Sequence, residues 1–287
     1  MIEEFEGYGY DVQKDWRVLN AADYGVPQDR QRLILMGVKH GCTLPTYPAT
    51  IPARPTCGDA LGDLPNAEQF EVLNFTDSVE VKKWATPSEY AMPLRGLGND
   101  AWKFGHPRKW NPARMTSSAR TDHTDITRRR FAATDKGRIE PISRLFKLPS
   151  DGVSNTLRAG TDAARGAFTS PRPIHFRHNR CVTVREMARL HGFPDWFRLH
   201  ATKWHGARQV GNSVPPPLAR AVADQIVKAL GFEPTRPSKA IDLGDEALLQ
   251  MDMSKASAYW KVAKPNGKRD RKSGAKKRKQ HEIEAFA

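Results

Sequence analysis

Polar and apolar positions alternate most sharply where the chain reads "LNAADYGVPQDRQRLILMGVK" (Leu19–Lys39). Gly25-Val26-Pro27 predicts a turn, and the apolar run Leu33–Met36 predicts a short core strand. In extended chain Gln28, Arg30 and Arg32 share one side and Asp29 and Gln31 the other. That face carries an amide and two guanidiniums in a row. It reads either as a wet edge strand or as planar hydrogen-bonding groups aimed at a planar polar ligand.

Further along, helical periodicity takes over. In "TVREMARLHG" Thr183 precedes Glu186 by three positions, a capping box. Met187 and Leu190 then share a face, and Gly192 supplies the stop. The aromatics of "FPDWF" (Phe193, Trp196, Phe197) are expected in a core. In "ARQVGNSVPPPLARAVADQIVKALG", Gly211-Asn212-Ser213 predicts a turn and Pro215–Pro217 the first turn of a helix. Leu218, Val222 and Ile226 recur every fourth position, so one face is buried, and Gly231 ends the helix. This helix start is either simply well capped or an anion site with free backbone N–H groups. "ISRLFKL" (Ile142–Leu148) predicts a strand, "TLPTYPATIPARPT" (Thr43–Thr56) a boundary. The stretch after about Ser254 has too few core-formers to order itself.

Composition changes the picture through charge. The 287 residues carry a formal net charge of +14. Ten Lys/Arg face three Asp/Glu between Trp102 and Arg138, and nine face one between Lys264 and Lys279. Two basic segments on a near-neutral body point to a polyanion partner. The first interleaves Trp102, Phe104, Trp110 and Phe131 with "HPRKW" and "TRRRF", bringing stacking and phosphate-contacting groups together. A solvated surface is the alternative, and Trp102 and Trp110 are equally open to a packing role. The three cysteines (Cys42, Cys57, Cys181) have no metal-type spacing and argue for a reducing compartment without a disulfide framework or metal site. No apolar run of about 18 residues marks a membrane span, and no apolar signal core is evident. The expected location is cytoplasmic, in association with the nucleoid.

Four blocks, taken in order, make the chain similar to the DNA cytosine-5 methyltransferase family, specifically its C-terminal half. "LNAADYGVPQDRQR" resembles the eighth motif of that family, "SNTLRAG" (Ser154–Gly160) the Thr-Leu junction closing its recognition region, "RCVTVREMARLHGFPDWF" the ninth motif and "RQVGNSVPPPLARAVA" the tenth. The resemblance covers roughly residues 1–235. It implies an α/β fold: the C-terminal part of a Rossmann-like methyltransferase domain plus a small target-recognition domain. It also implies boundaries, with the last catalytic strands at 1–50, the recognition domain at 51–205, a returning helix at 206–235, and a linker with a basic tail at 236–287.

By the same resemblance Arg32 binds the flipped target cytosine, supported by Arg30 and Gln28 as the catalytic set. Asn212 and Ser213 lie beside S-adenosyl-L-methionine, where helix-start N–H groups suit its carboxylate. Arg108, Lys109, Arg128, Arg129, Arg130 and Thr156 contact double-stranded DNA. Family members also carry a Pro-Cys nucleophile, a Glu-Asn-Val motif and a glycine-rich cofactor loop. Here the cysteine contexts are "HGCTL", "PTCGD" and "NRCVT", so the expected role is a methyltransferase subunit, inactive alone, that needs a complementing N-terminal chain. The alternative is a DNA-binding remnant without catalysis.

Overall fold

The computed structural model describes residues 2–98, 105–160 and 172–263. The first unit holds α1 (Ile2–Gly7), β1 (Tyr10–Val12), β2 (Arg17–Asn20), β3 (Gln31–Ile34) and β4 (Gly37–Lys39). β1 pairs antiparallel with β4, and β2 with β3. Between β2 and β3 the Asn20 side chain caps a single 3-10 turn, and Gly25 closes it at φ +74°, a conformation glycine adopts without a Cβ penalty.

Leu19, Ala21, Tyr24 and Val26 form a small core that Leu218 completes from the far end of the chain. On the opposite face of the ribbon Val18 sits across from Leu33, and these two are 52% and 56% exposed. Leu33–Met36 is therefore not a core strand. The strand begins at Gln31, and only Met36 is fully covered. A two-stranded ribbon packed on one side leaves every second residue outside.

The middle of the chain contains α2 (Cys57–Leu61), β5 (Val79–Glu80), α3 (Ala91–Leu94), β6 (Arg108–Lys109), β7 (Arg114–Met115) and α4 (Asp125–Ala133). α5 (Val184–Leu190) lies at its centre, with the capping box formed by Thr183 and Glu186. Met187 and Leu190 are buried as their spacing predicts, but so are all the other residues of α5. Gly192 follows at φ +85°. α5 packs on α2 and on α6 (Lys203–Asn212), in a core with Leu148, Leu157 and Val210. The expected strand Ile142–Leu148 reduces to single bridges from Phe146 to Ile139 and from Lys147 to Ile174. Of the aromatics after α5, Phe193 is buried, whereas Phe197 is 36% exposed.

Two expectations near the C-terminal end are corrected. Gly211 and Asn212 are not a turn but the last residues of α6, and the next helix is capped by Pro215 without a side-chain hydrogen bond. Gly211 is required by close approach: a Cβ there would sit 2.3 Å from the Ala159 nitrogen. α7 (Pro216–Ala229) then starts on prolines and buries Leu218, while Ile226 stays 38% exposed.

The second correction concerns 236–263, which is not a loose linker. β8 (Ile241–Asp242) runs parallel to β6, a 3-10 turn follows at Glu246–Gln250, and α8 (Met253–Trp260) ends the described chain. Asp252 accepts from the Ser254 and Lys255 nitrogens and caps α8, a signal that outweighs sparse hydrophobicity locally. The basic stretch 264–279 lies outside the described residues.

Candidate functional site

The site is built where β3, the segment 154–159, the end of α5 and the end of α6 meet. Asp29 N donates to Ser154 O at 2.8 Å and Ser154 N to Pro27 O at 2.9 Å, which sets these segments side by side. Thr156 Oγ1 donates to the Asp29 carbonyl at 2.7 Å.

The planar groups of the opening stretch point inward. Gln28 is fully buried and Arg30 is 1% exposed. Arg30 Nη1 donates to Leu157 O at 2.8 Å, and Nη2 to Gly211 O at 2.8 Å and Ser213 O at 2.9 Å. Gln28 Oε1 accepts from Leu157 N at 3.1 Å, and its Nε2 lies 2.9 Å from His191 Nδ1. His191 Nε2 faces Ser213 O at 3.2 Å. A carbonyl only accepts, so Nε2 carries the proton and Nδ1 accepts from Gln28. Burial first, then the Arg30 charge, pushes the His191 pKa down to about 3. Burial, then Arg32, lowers Arg30 to about 10.

Neither reading of the Gln28–Arg30–Arg32 row holds for its first two members. Both are buried: Gln28 bonds Leu157 N and the His191 imidazole, Arg30 Nη1 and Nη2 donate to backbone carbonyls of distant segments, and Arg30 Nε is buried without a hydrogen-bond partner among the described residues. Gln28 and Arg30 thus tie the 157, 191 and 211–213 segments together. Arg32 differs. It sits on the next outward step of the strand, half-buried, and its Nη1 donates only to the adjacent Gln31 carbonyl at 2.6 Å.

Asn212 is exposed at the last position of α6, and Ser213 Oγ donates to Val210 O at 2.7 Å. The start of α7 offers a poor anion cradle. Pro215, Pro216 and Pro217 have no N–H, so the donors that a helix N-terminus usually presents are missing. The residues present thus do not form a carboxylate site on their own.

The basic segment is largely self-paired. The Arg108 guanidinium lies 4.8 Å over the Trp196 ring, Lys109 pairs with Asp242 at 3.2 Å and Arg128 with Glu68 at 2.7 Å. Arg130 stands 3.7 Å from Glu140, and Arg129 is exposed. Phe131 is a core residue beside Ile174 rather than a stacking platform. Trp102 and Phe104 lie outside the described residues. All three cysteines are free thiols. Burial pushes Cys57 up to about 12 and raises Cys181 as well, so neither is poised as a thiolate. Among the described residues no group of three His, Cys, Asp or Glu could hold a metal, and no helix is long and apolar enough to cross a membrane.

Sequence reasoning missed several residues that hold the site. His191 is one; its only signal is a polar residue between the last apolar position of α5 and Gly192. Arg189 is another, with Nε 2.6 Å from Asp195 Oδ1 and Nη1 3.0 Å from Asp63 Oδ1, all three buried. Arg185 fills its valences on Thr116 O at 3.1 Å, Thr116 Oγ1 at 2.7 Å and Phe197 O at 2.8 Å.

Comparison with known proteins bears on this arrangement. The family described as C-5 cytosine-specific DNA methylase matches residues 1–228. The Type II methyltransferase M.XorII of Xanthomonas oryzae pv. oryzae is 56% identical over 263 residues, 92% of this chain and 62% of that protein. Type II methyltransferase M1.HphI of Haemophilus parahaemolyticus is 29% identical over 79% of this chain and 51% of its own length. A solved structure of a DNA modification methyltransferase encoded within a prophage of E. coli superposes with a TM-score of 0.63 at 30% identity, covering 80% of this chain and 64% of that one. The chain thus spans less than two thirds of each of these relatives.

Proposed function

We propose, on the premise that the chain belongs to the C-5 cytosine-specific DNA methylase family, that it supplies the base-gripping strand and the target-recognition part of a DNA cytosine-5 methyltransferase. Enzymes of this family take the methyl group from S-adenosyl-L-methionine. In this reading Arg32 meets the polar edge of an extruded cytosine, and residues of the 105–200 region contact the duplex. Asn212 offers one edge of the cofactor site, and the remainder of that site and the attacking thiolate come from a complementing portion. The finer division into catalytic strands at 1–50, recognition domain at 51–205 and returning helix at 206–235 belongs to the same proposal.

One observation carries the reading. The Arg30 guanidinium binds the Leu157, Gly211 and Ser213 carbonyls at once. It thereby holds the strand of Arg32 at a fixed offset from the Asn212–Ser213 corner, which is what a base and a methyl donor meeting at one point require. The need for a complementing portion rests on the thiols, since Cys57 and Cys181 are buried with raised pKa values and Cys42 follows Gly41 on an exposed turn. The exposed Val18–Leu33 pair and Ile226 offer apolar surface for that portion to cover.

The test is transfer of a labelled methyl group to cytosine-containing DNA, with this chain alone and with a polypeptide carrying Pro-Cys and Glu-Asn-Val segments. Activity is expected only for the pair. Arg32→Ala should then lower turnover by at least about 100-fold, the scale of losing a group that acts in the transition state, with duplex affinity nearly unchanged. Activity of the chain alone, or a loss confined to duplex affinity, overturns the reading. Duplex binding without activity in any combination favours a DNA-binding remnant.

A further inference from the structure

The segment 239–251 crosses the recognition region as an acidic strap, and it lies beyond the residues that match the family. It is held at separate points: Ile241 N donates to Pro107 O at 2.9 Å and Ala201 N to Leu249 O at 2.9 Å, the His106 and His200 rings lie 3.0 Å from Lys239 O and 3.3 Å from Met251 O, and β8 spans only two residues. The 3-10 turn Glu246–Gln250 contains no buried residue.

Its acidic groups sit on cations. Glu246 Oε1 accepts from Arg114 Nη1 at 2.9 Å and from Arg198 Nη1 at 2.8 Å. Asp242 pairs with Lys109 at 3.2 Å, with both side chains mostly exposed. The Asp242 and Glu246 carboxylates are themselves mostly exposed, so water and salt compete for these pairs. Between strap and body lies a cavity of about 560 Å³ lined by Trp110, Arg114, Trp196 and Arg198 together with Asp242 and Glu246. Cations interleaved with indole rings are the composition of a backbone-tracking groove.

We propose that Lys109, Arg114 and Arg198 form a phosphodiester-binding groove and that the strap is its built-in competitor, with the Asp242 and Glu246 carboxylates standing where phosphates would lie. The inference rests on the reading above only for naming duplex DNA as the polyanion. Displacing the strap frees two guanidiniums and one ammonium. Neutralising it should therefore strengthen DNA binding and steepen its salt dependence.

The experiment measures binding of the full chain to a labelled duplex by fluorescence anisotropy across a salt series. The triple variant Asp242→Asn, Asp245→Asn, Glu246→Gln keeps an Asn able to cap the turn. Its affinity at low salt should rise at least about five-fold, with the slope against log salt steeper by up to about 2.7, since each of the three freed cations contributes about 0.9 per phosphate contact. A control triple, Glu3→Gln, Asp15→Asn, Glu71→Gln, changes net charge equally at exposed positions outside the strap and should give less than half that gain. Adding Arg114→Gln and Arg198→Gln to the strap triple should erase the gain. Equal gains in the two triples, or a gain that survives loss of both arginines, overturns the groove while leaving the methyltransferase reading intact. No duplex binding by the unmodified chain or any variant overturns both.

Discussion

Arg30 Nη2 donates to the Ser213 carbonyl at 2.9 Å across 183 residues of chain. The same carbonyl receives His191 Nε2 at 3.2 Å, so a guanidinium from the first unit and an imidazole from the second close on one oxygen. Removing Arg30 strands the buried Leu157 and Gly211 carbonyls, while Ser213 O keeps His191 Nε2. Arg30→Met should cost about 2–4 kcal/mol of unfolding free energy, the range for losing buried charge-assisted hydrogen bonds. Urea denaturation measures it. Arg30→Lys should recover only a minor part, because one ammonium cannot span carbonyls on two sides.

Gly211 lets α6 press against the 158–159 backbone, where an added Cβ would stand 2.3 Å from Ala159 N and 2.5 Å from Arg158 C. Backbone cannot step aside as a side chain can. Gly211→Ala should destabilise by about 1–3 kcal/mol, the scale of overpacking, although alanine favours helix by about 1 kcal/mol. A melting-temperature increase would contradict the packing.

Acid should weaken the fold before its carboxylates titrate. His123, His175 and His191 are pushed down to about 4, 3 and 3, chiefly by burial. Each unfolds to an ordinary histidine that takes up a proton near 6.5. The unfolded chain therefore binds more protons below that pH, and stability that is complete above 6.5 is lost as pH falls toward 4 and 3. Glu186, held at about 2 by the Arg180 charge and hydrogen bonds against the effect of burial, adds its own loss only below about 4.5. Urea midpoints at pH 7.5, 6 and 5 should decline steadily. His191→Gln, which keeps one donor and one acceptor, should flatten part of that decline, the rest coming from His123, His175, His178 and His200.

The Val18–Leu33 pair should make the isolated chain self-associate, since contiguous exposed apolar groups on an open ribbon invite pairing. Val18→Thr with Leu33→Thr should lower the apparent mass in sedimentation without a change in stability beyond about 0.5 kcal/mol. Unchanged association would locate the sticky surface elsewhere, and Phe232 at 68% exposure is the next place to examine.

Legibility in the sequence followed range. The capping box of Thr183 and Glu186 and the proline start of α7 were readable because their partners lie within one helical turn. The ending of α6 was misread because Gly211 looks like a loop residue, and Gly206 in the same helix gives no helix signal either. Here they serve close contact, Gly206 against Val184 and Gly211 against Ala159. The destinations of Gln28 and Arg30 were not readable at all: their partners lie more than a hundred positions away, and a guanidinium row looks the same whether it waits for a base or ties down a carbonyl. The strap was missed because ion pairs and a capped turn order it, and hydrophobic patterning is blind to both.

Glu186 has two employments, closing the first turn of α5 through Thr183 N at 2.7 Å and clasping Arg180 through two oxygens at 2.8 Å each. Unwinding that turn would leave a guanidinium marooned in the interior, so α5 has no inexpensive way to fray. A protease probing the native protein should find this stretch silent until the whole molecule opens, and its amide protons should exchange last and together.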